Sequence, residues 1–116
     1  MQPLKRVEAI FFKTARGAEP VREWIKKLPA AERKVIGDDI ASLEFGWPIG
    51  MPLCRPLGSG LHEVRSSLPN RIARVLFYVD GDRMVLLHGF IKKDQKTPKS
   101  DLDLAIERRR MREQAK

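Results

Sequence analysis

Three successive segments alternate like β-strands yet carry arginine in their interiors. They are Gly60-Leu61-His62-Glu63-Val64-Arg65-Ser66-Ser67, Arg71-Ile72-Ala73-Arg74-Val75-Leu76-Phe77-Tyr78-Val79 and Met84-Val85-Leu86-Leu87-His88-Gly89-Phe90-Ile91-Lys92-Lys93. A guanidinium buried without a partner is very costly. The three segments therefore predict a sheet with one dry face and one cationic face that meets water or an anion. On a chain of 116 residues, such a face implies a polyanionic partner, nucleic acid above all.

Successive side chains point to opposite faces of a strand. Leu61, Glu63 and Arg65 share one face, as do Arg74, Leu76 and Tyr78. Ala73, Val75, Phe77 and Val79 make a wholly apolar opposite face, the one predicted to cover helices. A four-residue loop over Leu68 to Arg71 sets Ser67 opposite Ile72, Val64 opposite Val75 and Arg65 opposite Arg74. Two arginines directly opposite repel. Water, Glu63 or a bound anion relieves them; the plainer version is a solvated face with an Arg65–Glu63 contact. Asp80-Gly81-Asp82 signals the next hairpin. A two-residue turn at Asp80-Gly81 sends His88 into the core, whereas a three-residue turn with a bulge sets it beside Arg74.

Net charge is +8 and the isoelectric point is near 10.1. The surplus is lopsided: residues 1–54 carry +2 and residues 55–116 carry +6. Val7 to Phe12 reads as a strand. Pro20 opens a helix whose Val21, Trp24, Ile25 and Leu28 lie on one face. After Pro29, a second helix from Ala30 to Phe45 buries Ile36, Ile40 and Leu43. Gly46 to Gly60, with four glycines and three prolines, reads as a long loop. Thr97-Pro98 reads as an N-cap followed by proline in the first turn. The helix it opens carries Leu102, Ile106 and Met111 and ends in Arg108-Arg109-Arg110-Met111-Arg112, which complements the helix dipole.

The order β-α-α-β-β-β-α defines an α+β domain spanning residues 1–116. An antiparallel-rich four-stranded sheet carries an N-terminal helical hairpin on one face, and a C-terminal helix closes the chain. No apolar run is long enough to cross a bilayer and no apolar signal segment leads the chain, so the expected location is cytoplasmic, with no membrane partner. A lone Cys54 makes no internal disulfide or metal cluster, and His62 and His88 lack metal-ligand spacing. Neither metal nor cofactor is expected. Lys92, Lys93, Lys96 and Lys99 surround Phe90, a pattern in which an aromatic stacks on a base while cations hold phosphates. Phe90 as core and the lysines as a solvated loop is the alternative.

Gly60-Leu61-His62-Glu63-Val64-Arg65, Ile72-Ala73-Arg74-Val75-Leu76-Phe77 and His88-Gly89-Phe90-Ile91-Lys92-Lys93, followed by Gln95-Lys96-Thr97-Pro98, resemble the RelE/ParE superfamily of type II toxins. The match looks most like the HigB-related, phage-associated branch. The resemblance implies a single RelE-like toxin domain with endoribonuclease activity on messenger RNA at the ribosome, inhibiting translation. In such toxins a ribose 2′-hydroxyl attacks the adjacent phosphate without metal. Arg74 would hold the scissile phosphate and Arg65 would add charge. Lys93 would serve as acid or base, with Glu63 or His88 as alternative bases. Phe90 stands where many active relatives carry tyrosine or histidine; it stacks but transfers no proton. Lys92, Lys96, Lys99 and Arg71 would bind RNA. The implied partner is a cognate helix-turn-helix antitoxin, with operator DNA bound only through that complex. A ParE-like member that inhibits gyrase without cleaving RNA is the competing expectation.

Overall fold

The computed structural model describes residues 4–92 and 96–116. The chain runs β1 (Glu8–Phe11), α1 (Pro20–Lys26), α2 (Ala30–Gly46), β2 (Cys54–Gly58), β3 (Leu61–Leu68), β4 (Arg71–Asp80), β5 (Arg83–Lys92) and α3 (Lys99–Gln114). It is a mixed α+β fold. The five strands form one sheet in the order β1-β5-β4-β3-β2, with β1 parallel to β5 and every other pair antiparallel.

The sheet has five strands rather than the expected four. The fifth is β2, inside the proline-rich stretch that reads as a loop. Pro56 lacks an N–H and is tolerated because β2 is the edge strand, bonded to β3 alone. The β3–β4 register is as the alternation predicts, with Val64 opposite Val75 and Arg65 opposite Arg74.

One core lies between the sheet and α1–α2. Ile36, Ile40 and Leu43 of α2 and Val21 of α1 meet Val64, Ala73, Val75, Phe77, Met84 and Leu86. Glu44 ties this layer to β1: its carboxylate accepts from the Ala9 N–H at 2.8 Å and pairs with Lys5 at 3.1 Å. Gly89 is required by packing. A Cβ there would lie 2.4 Å from Trp24 Cε3, so only glycine lets α1 rest on β5.

A second core on the opposite face corrects the expectation of an open cationic side. Phe12, Leu61, Leu76, Tyr78, Val85, Leu87 and Phe90 are covered by Ala105 and Leu102 of α3. Helix α3 buries Ala105, while Ile106 and Met111, expected in its apolar stripe, are exposed. Its arginines supply the rest of the grip. Arg108 donates to the Leu87 carbonyl at 2.8 Å and lies over the Phe12 ring. Arg112 donates to the Tyr78 hydroxyl at 2.8 Å and to Asp80 at 2.7 Å. Arg109 lies over Tyr78 and bonds the Ser59 carbonyl. The arginine run is thus largely an internal clamp, its stems covering apolar surface.

Two predictions follow from this packing. Gly89→Ala should destabilise the fold by about 1–3 kcal/mol in urea unfolding, with partial recovery when Trp24 is also cut to leucine. His62 packs edge-on to Trp47 at 4.9 Å and stacks on Phe77 at 5.4 Å, and burial lowers its pKa. The unfolded chain protonates this group near the ordinary value of about 6.5, and the folded chain resists. The His62 contribution to stability is therefore full above that pH and should decline as pH falls below it. His62→Phe should flatten that part of a pH–stability profile.

Candidate functional site

Strands β3, β4 and β5 bring Glu63, Arg65, Arg74, His88 and Phe90 to the sheet face that α3 covers. Arg65 and Arg74 are cross-strand partners, and Phe90 is opposite Arg74 on the other side. His88 joins them through a bulge. The β4–β5 pairing slips between Leu76 and Phe77, so Leu87 and His88 both turn toward α3 instead of alternating. Neither expected turn produces this. The β4–β5 turn is Gly81-Asp82, closed by Asp80 opposite Arg83, and His88 faces Leu76, diagonal to Arg74.

The cluster is enclosed. Arg74 and Glu63 are both 0% exposed. Their nearest charged atoms, Nη1 and Oε2, lie 3.9 Å apart, and Arg65 Nε lies 3.7 Å from Glu63 Oε1. These separations exceed hydrogen-bond length. Glu63 Oε1 and Arg65 Nε have no hydrogen-bond partner among the described residues. The short contact comes from outside the sheet: the Thr97 hydroxyl donates to Glu63 Oε2 at 2.6 Å. Thr97 was expected to cap α3, but Pro98 stands at that position and the Thr97 hydroxyl turns back to the carboxylate.

Arg65 is the arginine that reaches the surface, its side chain 14% exposed. Strand β2 reaches no further than Val64 along β3, and the Arg65 N–H donates to the Leu53 carbonyl at 2.8 Å. Arg65, Ser67, Leu53 and Pro52, with Val35 and Asp39 of α2, line a cavity of about 270 Å³ at this free edge.

His88 stacks on Phe90, with ring centroids 5.4 Å apart, and its Nε2 lies 2.6 Å from Asp101 Oδ1 in the first turn of α3. An ionised carboxylate only accepts, so Nε2 is the nitrogen that carries the proton toward Asp101, and in the neutral form of the ring Nδ1 is the acceptor. The pair has the geometry of an oriented general base.

The remaining sequence candidates scatter. Arg71 turns to α2 and pairs with Glu32. Lys99 is exposed and pairs with Asp103 at 2.9 Å, and Lys96 is exposed. Lys92 ends β5 opposite Ile72. Lys93 lies outside the described residues. Cys54 is buried, and burial, with the Glu63 charge second, pushes its thiol up to about 11, so it is no nucleophile. Among the described residues no acidic, histidine and cysteine side chains cluster as metal ligands, and no helix is long and apolar enough to cross a membrane. Sequence reasoning missed two members, Thr97 as a partner of Glu63 and Asp101. Thr97 carried a capping signal that competed with its role, and Asp101 reads as an ordinary first-turn acid.

The fold is a small α+β domain that encloses an arginine–carboxylate cluster beside a histidine–aspartate pair. The family model described as "Phage derived protein Gp49-like (DUF891)" matches residues 23–110, and the chain belongs to this family. A comparison with curated proteins found no match.

Arg74→Ala would take one of the two facing guanidiniums from the buried Glu63 charge and empty a fully enclosed side-chain volume. It should destabilise the fold by about 3–5 kcal/mol in chemical unfolding. Arg65→Ala, at the partly open rim, should cost markedly less.

Proposed function

We propose that this chain is the toxin of a type II toxin–antitoxin pair and cleaves messenger RNA at the ribosome by metal-independent 2′-hydroxyl attack. The observation that supports this most is the β5 bulge, which puts an Asp101-held His88 on the same face as the Arg65–Arg74 pair. In this reading His88 Nδ1 removes the 2′-proton. The oxygen then bonds to phosphorus and the bond to the 5′-oxygen breaks, leaving a cyclic phosphate and a 5′-hydroxyl. Arg65 stabilises the charge gathered on the phosphoryl oxygens. Phe90, already stacked on His88, limits the ring's freedom. The leaving oxygen takes its proton from the lysine-rich segment, where Lys93 is the sequence's candidate, and Lys96 and Lys99 hold flanking phosphates.

The finer assignment is to the HigB-like branch with a RelE-like domain, acting in the cytoplasm. A helix-turn-helix antitoxin neutralises the toxin, and operator DNA is bound only through that complex. The full enclosure of Arg74 favours a second reading, a ParE-like toxin that traps gyrase without cleaving RNA, since that arginine touches no phosphate in the closed arrangement.

Induced expression followed by primer extension on cellular transcripts separates the two. The nuclease reading expects discrete transcript ends that vanish in His88→Ala and fall by roughly 10²-fold or more in Asp101→Asn. Intact transcripts with failing supercoiling would contradict it.

A further inference from the structure

The Glu63 carboxylate sits where an anion between two arginines would sit, yet it fits that place loosely. It faces Arg65 at 3.7 Å and Arg74 at 3.9 Å, and its one short bond among the described residues is to Thr97. A carboxylate retained for stability alone would be expected to make close, paired bonds to guanidinium. Here Oε1 and Arg65 Nε, both shielded from water, have no hydrogen-bond partner among the described residues. A polar cluster left partly unsatisfied in a closed site calls for an explanation, and a functional role supplies one.

We infer that Glu63 is an internal stand-in for a phosphodiester, and that the Thr97 hydroxyl is the latch that keeps it in place. The inference rests on the RNA reading above and adds the regulation of that site. The latch comes from the residue two before α3, whose first turn is tied to the sheet by Asp101 on His88 at 2.6 Å. Two ties four residues apart therefore hold the entry of α3 over the arginine face. When a phosphodiester enters from the Arg65 rim, it replaces the carboxylate between the guanidiniums. Glu63 gives up the Thr97 bond and Arg74 exchanges one anion for another. No bond is made or broken covalently, and the arginines never lose a counter-charge. In the absence of RNA the toxin would hold its own site shut.

The test uses the purified full chain and a short 2′-O-methyl RNA, which lacks the attacking hydroxyl and so reports binding alone. Thr97→Val removes the latch without changing charge, Thr97→Ser keeps it, and Glu63→Gln neutralises the stand-in. The expected result is binding about 5–10-fold tighter for Thr97→Val, the factor given by losing one hydrogen bond in the closed state. Thr97→Ser should bind like the parent, and Glu63→Gln should bind at least as tightly as Thr97→Val. If Glu63→Gln fails to fold, Thr97→Val decides alone. Unchanged or weaker binding by Thr97→Val, with Arg65→Ala losing binding, would overturn the stand-in while sparing the RNA site. No binding by the parent or any variant would overturn the RNA reading and the inference together.

Discussion

A carboxylate with no access to water, facing two guanidiniums, is the interaction around which this molecule is arranged. Taking such ions out of water costs several kcal/mol each, so they stay charged only where neighbours answer them. The β3–β4 register must set Arg65 opposite Arg74, with Glu63 two residues back on the same face. The entry to α3 must bring Thr97 to within 2.6 Å of the carboxylate. Helix α3 must then lie on this face, which explains why its arginines grip the sheet through the Leu87 carbonyl, Tyr78 and Asp80 rather than project into solvent.

The two sheet faces differ in how they are held. On the α1–α2 face apolar stripes meet apolar strands, and Gly89 yields its side-chain space to Trp24. On the α3 face a short apolar patch is extended by charged and aromatic contacts, among them Arg108 over Phe12 and Arg112 between Tyr78 and Asp80. The count of 23 lysines and arginines therefore overstates the cationic groups offered to a partner. Arg74 is enclosed and Arg108 is half-buried; Arg71 and Arg112 are partnered by Glu32 and Asp80. Exposed cations remain at Lys13, Arg16 and Lys96 and along the helix faces, with Arg65 at the partly open rim.

Strict alternation made the β3–β4 hairpin legible, because the apolar run Ala73, Val75, Phe77 could face only one way and carried the Arg65–Arg74 pairing with it. The stripes of α1 and α2 were legible for the same reason at helical period. Strand β2 was not, since Pro56 and the surrounding glycines signal a loop and only an edge position tolerates them. The place of His88 was not either: a bulge changes register by one residue without a sequence signature, and the Leu87 carbonyl it displaces is taken by Arg108 far along the chain. Burial of the arginine face escaped notice because α3 reads as polar, its apolar contribution being little more than Leu102 and Ala105 plus arginine stems.

Membership of the phage-derived Gp49-like family makes this a RelE/toxin-like domain, and the proposal is that its charged face takes an anion. The claim that the cluster serves function rather than folding is tested most directly by removing both of its enclosed charges at once. Glu63→Leu combined with Arg74→Met replaces a loose buried ion pair by apolar groups, a change that is often neutral or stabilising. The account predicts a doubly substituted chain that still unfolds cooperatively and arrests no growth when induced. A doubly substituted chain that folds and still arrests growth would contradict it.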